Sequence, residues 1–241
     1  MTKFKLAVLL VLSAVPLQAK PRAPRPGADE LLLKTLAGPA TSYAAVERVQ
    51  VFMSGQKPKA LKVRITALPG GRIRREVLPP RKKATPVVSI RDSEAAEMGL
   101  TRLRAIYDLT VSTGGAVAKR KTWTVELRRK NGMLRRTLWV DRDSGLLMKR
   151  ETYRDDGTLA RRERIVTLEL PATVDPASMR ATLPAGPWMP DGFLFTGESG
   201  GTRRYSNGLE NYEIRLVGGK SVVSGDLAED DAARILESVS K

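Results

Sequence analysis

The 241-residue sequence contains no cysteine and no histidine. Without cysteine there is no disulfide, no thiol nucleophile, no zinc ribbon and no lipidated N-terminal cysteine. Without histidine there is no imidazole base, which removes every Ser-His and Cys-His machine. A metal site would have to be built from oxygen ligands alone, which suits Ca²⁺ or Mg²⁺ rather than zinc, copper or haem iron. Aromatic residues are scarce, at 5%. Long apolar runs are missing too: the longest, Leu6–Leu17, has 12 residues, where a membrane-spanning helix needs roughly 20. Acidic residues are outnumbered, 26 against 42 Lys and Arg, for a formal charge of +16. With 41% hydrophobic residues the chain can still bury a core, so wholesale disorder is excluded.

The N-terminus has the three-part layout of a secretory signal. Lys3 and Lys5 precede the apolar run, Pro16 would interrupt a buried helix there, and Ala19 supplies the small residue at the cut. Cleavage after Ala19 places the protein in the periplasm or outside the cell, soluble. There the anionic partners open to a basic protein are membrane headgroups, surface glycans and acidic proteins; nucleic acid is not expected.

Residues 20–28 (KPRAPRPGA) read as a basic, proline-rich leader. Asp29 is placed to cap a helix carrying Leu31, Leu32, Leu33 and Leu36 that Gly38-Pro39 stops. From Tyr43 the period changes to two: Val49, Val51 and Met53 share a face, as do Val63, Ile65 and Ala67. Ile73–Leu78 and Val87–Ile90 read as further strands, separated by the basic loop Pro79–Lys83, and Ser93–Arg104 as a helix. Strands then recur between the turns Gly114-Gly115, Asn131-Gly132, Asp143-Ser144-Gly145 and Asp155-Asp156-Gly157, an antiparallel meander with Arg and Lys at its outward positions. After the proline-bearing loop Pro171–Pro190, three short strands are expected at Phe193–Phe195, Arg203–Tyr205 and Tyr212–Leu216, with a hairpin turn at Asn207-Gly208. Asp226 and Glu229 form a capping box for a last helix with Ala228, Ala232, Ile235, Leu236 and Val239 on one face.

Four short motifs have chemical readings, and each has a plainer one. Gly197-Glu198-Ser199-Gly200-Gly201 matches the nucleophile elbow, yet Ser199 lacks a histidine base and a strand rather than a helix follows, so a glycine-rich hairpin fits better than a hydrolase. Gly219-Lys220-Ser221 ends like a phosphate loop, but Ile214 stands where its first glycine belongs. Asp141-Arg142-Asp143-Ser144-Gly145 begins like a calcium loop, with its glycine one position early and Thr152 in place of the closing glutamate. Asp155 and Asp156 sit at a hairpin tip, where solvated carboxylates need no shifted pKa. No catalytic constellation remains, and the expectation is a binding protein that needs no cofactor and no metal. Trp123, Trp139 and Tyr153 on neighbouring strands either line an apolar cavity or belong to the core.

The stretch Thr137–Lys149 (TLWVDRDSGLLMK), led by Arg135-Arg136 and continuing through Tyr153, Gly157 and Leu159, resembles the RseB/MucB family, whose hallmark is an arginine-led "LWLD..TGLLLK" hairpin followed by a "dG" turn. Leu183-Pro184-Ala185-Gly186 and Ser206-Asn207-Gly208-Leu209 resemble that family's later "LPAGF" and "YSDGL" segments, while Tyr43–Val46 departs from its opening "Y-x-G-T-F". The resemblance implies an α+β protein: an unclosed antiparallel β-barrel like that of LolA and LolB, wrapped on helices, with a small C-terminal α+β subdomain. The division that follows is a signal peptide (1–19), a leader (20–28), a half-barrel (29–170), a linker (171–190) and the subdomain (191–241). It also implies a non-enzymatic regulator of the sigma-E envelope stress response, binding the periplasmic segment of a membrane anti-sigma factor and sensing a lipophilic ligand. Carriage of lipid or lipoprotein, as by LolA, is the alternative, with an anionic membrane surface as a further partner. Trp123, Leu138, Trp139, Val140, Leu147 and Tyr153 are the candidate cavity walls; because a strand shows both faces, some of the six must point away from any cavity.

Overall fold

A computed structural model describes residues 24–38, 40–69, 71–79, 87–89, 93–179, 189–190, 193–206, 210–225, 227 and 229–239. The expected signal peptide, most of the basic loop, the Leu183–Gly186 segment, the Asn207-Gly208 turn and Asp226 lie outside these residues.

Nine strands form one antiparallel sheet: β1 (Tyr43–Val51), β2 (Lys59–Ala67), β3 (Ile73–Leu78), β4 (Val87–Ser89), β5 (Tyr107–Thr113), β6 (Thr122–Arg129), β7 (Leu134–Asp141), β8 (Leu147–Tyr153) and β9 (Leu159–Glu169). Their order is β4-β3-β2-β1-β9-β8-β7-β6-β5. Two sequential meanders are therefore spliced by a single long-range pairing, β1 with β9, in which Val49 faces Glu163 and Arg48 faces Arg164. The two outermost strands are β4 and β5, so the sheet is an unclosed barrel.

Side-chain alternation gives the sheet an inner and an outer face. Tyr43, Ala45 and Val49 of β1 are buried on the inner face with Ile65 and Ala67 of β2, while Arg48, Lys62 and Arg64 stand exposed on the outer one. Helices α1 (Ala28–Ala37) and α2 (Ser93–Ile106) cover only part of the inner face. Leu31, Leu32 and Leu36 of α1 and Leu103 of α2 pack on Val125, Leu127, Leu138 and Val140 of β6 and β7. The residue before α1 is Gly27, and no side chain caps the helix. Asp29, expected as its cap, lies instead in the first turn, and its carboxylate accepts a 2.7 Å hydrogen bond from Arg104 Nε of α2. An ion pair to the neighbouring helix has replaced a bond to the helix's own backbone.

The chain then builds a second, four-stranded antiparallel sheet: β10 (Leu194–Ser199), β11 (Thr202–Ser206), β12 (Asn211–Val217) and β13 (Lys220–Gly225), backed by α3 (Glu229–Val239). Gly200 and Gly201, both left-handed, turn β10 into β11, so the Ser199 motif is a hairpin and not a strand-to-helix elbow. The fourth strand, β13, is an addition to the three expected; Gly218 and Gly219 form its turn, which accounts for the Gly219-Lys220-Ser221 motif. Phe193, Tyr205, Tyr212, Ile214 and Ile235 are the core of this part, with the Tyr205 and Tyr212 rings stacked at 4.7 Å. Arg102 of α2 joins the two parts. It pairs with Asp231 of α3, lies 3.4 Å from the fully buried Glu210, and sits 5.4 Å over the Phe193 ring.

Candidate binding groove

α1 and α2 pack chiefly on β6 and β7, and the C-terminal end of α1 reaches Tyr43, Ile65 and Ile73, which leaves the Val49 and Val63 end of the inner face without helix cover. The four-stranded sheet stands across from it, and a cavity of about 540 Å³ separates the two. Val49, Val51, Leu61, Val63 and Val77 form an apolar wall; Arg204, Tyr205, Tyr212 and Glu213 face it from the smaller sheet. Val51 and Leu61 remain more than a third exposed, large apolar side chains left at the mouth.

The floor is charged. Arg150 of β8 and Glu163 of β9 face each other in register, both almost fully buried, and pair directly. Arg161 adds a two-pronged contact to the other Glu163 oxygen, at 2.7 and 3.0 Å. Burial opposes ionisation of Glu163, but the Arg150 and Arg161 charges, the Arg150 hydrogen bond and Arg75 overcome it and hold the carboxyl well below the usual carboxylate range. Glu47 of β1 behaves in the opposite sense. Burial and the neighbouring Glu163 charge raise its pKa against the pull of Arg75, Arg150 and Arg161. Two carboxyls thus share one set of arginines: Glu163 takes the charge and Glu47 resists it. The result is a fixed, polar floor beneath an apolar wall, suited to an extended chain or amphiphile that offers both kinds of surface.

None of the six residues expected as cavity walls lines this groove. Leu138 and Val140 are fully buried beneath α1 and α2, with Trp123 and Leu147 packed at the margin of the same cluster. Leu147 also borders a smaller cavity of about 50 Å³ near Thr35 and Tyr43. Trp139 lies on the other face, where Lys149 Nζ stands 3.7 Å from its ring centroid. Tyr153 Oη donates to Glu151 at 2.7 Å on that same outer face. The structure therefore brings four of the six together and separates two. The residues that were missed, Glu47, Arg75, Arg150, Arg161 and Glu163, had one signal in the sequence. Glu47 falls between Ala45 and Val49, a charge on the otherwise apolar stripe of its strand, whereas Glu163 shares its stripe with Arg161 and Ile165 and gives no such signal.

The hairpin that carries the family resemblance has a structural task. Asp141, fully buried, accepts from Arg120 at 2.7 and 2.9 Å and from the Ser144 amide and hydroxyl, each at 2.8 Å. Although burial works against it, these donors hold the Asp141 pKa below its ordinary value. The next residue of the turn, Gly145, offers its carbonyl to Thr35 Oγ1 of α1 at 3.1 Å. Asp141 is thus consumed by the turn, and Asp143 points to solvent. Among the described residues no group of three or more acidic side chains is placed to hold a metal ion.

Several solved structures share this architecture. The crystal structure of MucB matches with 17% identity over 88% of this chain and 96% of that one, at a TM-score of 0.55. MucB in complex with MucA(peri) matches with 19% identity over 88% and 98%, at 0.50. The MucA/MucB complex of Pseudomonas aeruginosa matches with 19% identity over 85% and 90%, at 0.49. At these identities the first two likenesses concern the fold. No curated protein matches the chain by sequence. The MucB/RseB N-terminal domain family, however, matches residues 32–183, well over half of the chain, from the middle of α1 through β9 and beyond, and the chain belongs to that family.

Proposed function

We propose that the protein is a non-enzymatic periplasmic regulator that holds the periplasmic segment of a membrane-spanning anti-sigma factor in the groove between its two sheets. The family consists of periplasmic, soluble regulatory or binding proteins and not of enzymes. Among the described residues no helix is long and apolar enough to cross a membrane. The observation that carries the reading is the groove itself, open at an apolar mouth of Val51 and Leu61 and floored by the Arg150–Glu163–Arg161 cluster. MucB, which shares the fold, has been solved with MucA(peri) bound. We take residues 1–19 as the export signal, 20–28 as a leader, 29–170 as the barrel part, 171–190 as a linker and 191–241 as the second part. A lipophilic ligand entering along the Val49–Val77 wall would compete with or reshape the partner's site, which is a linkage between two ligands of one groove.

The test is photo-crosslinking in the living cell from positions 51 and 61 at the groove mouth, with position 216, an exposed residue far along β12, as the reference. Recovery of one single-span membrane regulator from 51 and 61 but not from 216 is the expected result. Lipoproteins or lipid from the same positions, with no regulator, would assign carriage instead. Equal recovery from all three positions would remove the groove from the account.

A further inference from the structure

We propose that the outer face of the nine-stranded sheet is a docking surface for an anionic lipid bilayer. Register sets the argument. Lys149 of β8 faces Arg164 of β9, Arg164 faces Arg48 of β1, and Arg48 faces Lys62 of β2. Four cations therefore stand side by side on four adjacent strands, and at about 4.8 Å per strand the row runs about 14 Å. Like charges directly opposite one another destabilise a sheet. Among the described residues the row is compensated at its Lys149 end alone. Lys149, 20% exposed, pairs with Glu151 at 3.0 Å, Glu151 also serves Arg162 at 2.7 Å, and Glu76 lies 3.5 Å from Arg64; neither acid is paired with Arg48, Arg164 or Lys62.

A depression of about 230 Å³ lies along the row, lined by Arg48, Arg162, Arg164, Gln50 and, at its edge, Ala118 and Val166. Val166 is 42% exposed beside the arginines, and Trp139 closes the row under Lys149. Cations interleaved with an exposed aliphatic and an aromatic side chain are the composition that sits at a lipid headgroup layer. A row this long outreaches one phosphate and fits a surface that repeats phosphates. The groove occupies the opposite face, so docking would leave it open.

The probe is a pair of vesicle preparations, pure phosphatidylcholine and equal parts phosphatidylcholine and phosphatidylglycerol, in a flotation assay at low and at physiological salt. Any contribution of the N-terminal segment, with Lys3 and Lys5 before its apolar run, is common to the parent and both variants and drops out when they are compared. The unaltered protein should bind the anionic vesicles alone, less so in salt. With each basic residue near an anionic surface contributing about fivefold, Arg48→Gln/Arg164→Gln should bind about 25-fold more weakly. The control, Arg215→Gln/Lys220→Gln on the smaller sheet, removes the same charge and should stay within about twofold of the unaltered protein. The outer-face variant should unfold at no lower temperature than the parent, because a repulsion has been removed. Equal losses in both variants would reduce the effect to net charge and overturn the proposal. So would retention on polyglutamate with no vesicle binding, which would assign the face to an acidic protein.

Discussion

The two glutamates under the groove should respond to the same substitution with opposite sign. Glu163→Gln keeps the shape but leaves Arg150, 4% exposed, without its counter-charge. Breaking a buried ion pair from one side costs about 3–5 kcal/mol. Here the loss should fall at the lower end, about 3 kcal/mol, because Glu47 lies within the field of Arg75, Arg150 and Arg161 and can ionise in Glu163's place. For a chain of this length that is a drop of about 6–12 °C in Tm at neutral pH. Glu47→Gln should be neutral or stabilising. The folded-state pKa of Glu47 is raised, so its contribution is present in acid and lost as pH rises through that value, and the neutral isostere removes the loss. Glu163 has a depressed pKa, so its contribution is present at neutral pH and lost as pH falls below the ordinary carboxylate range. Thermal unfolding followed by circular dichroism at neutral pH and at about pH 4 separates the two. The double variant should lose more than the two single effects summed, since it also removes the substitute charge. A Glu47→Gln variant as unstable as Glu163→Gln, or additive effects in the double, would refute the division of roles.

Two other substitutions address the signature hairpin. Gly145→Ala puts a methyl group 2.9 Å from Lys34 Cβ at a φ of +74°, so left-handed strain of about 1–2 kcal/mol adds to a contact that only movement of α1 can relieve; chemical denaturation should show a loss of at least about 2 kcal/mol. Asp141→Asn retains the turn but loses the charge held by Arg120, an expected cost of about 1.5–3 kcal/mol that should vanish in strong acid, where the parent's own carboxyl is protonated; a loss that persists there would mean the carboxylate is not what holds the turn.

Local chemistry made most of the elements legible. Asn131-Gly132, Asp143-Ser144-Gly145 and Asp155-Asp156-Gly157 turn where they should, because each supplies a glycine in the left-handed region, and β6 to β9 begin or end within a residue or two of the expected bounds. The β1–β9 pairing was not legible, since nothing near Val49 or Glu163 marks the other across more than a hundred residues. The β13 strand was hidden for another reason: of Lys220–Gly225 only Val222 and Val223 are apolar, and the strand is held by its ladder to β12. At the site, alternation alone predicted that the six candidate residues would divide between two faces. Which face α1 would cover, and where the second sheet would stand, depended on packing between distant segments. In a chain so rich in charge Glu47 and Glu163 do not stand out, and only the β1–β9 pairing brings them together beneath the groove.

The residues that carry the sequence resemblance and those that would choose a partner are largely different ones. Asp141, Ser144 and Gly145 of the hairpin are held by Arg120, by one another and by Thr35 of α1. They fix how the first helix seats on the sheet, and that seating leaves the Val49 and Val63 end of the inner face without helix cover. The groove charges come from elsewhere, Glu47 from β1, Arg75 from β3, Arg161 and Glu163 from β9; only Arg150 lies within the signature hairpin. The opposite wall belongs to the smaller sheet, tied to α2 through Arg102 and its contacts with Glu210 and Asp231. A change of partner between two members of this family can therefore be built by altering the inward charges of β1, β3 and β9 and the facing side of β11 and β12. The hairpin that carries the sequence resemblance would stay as it is.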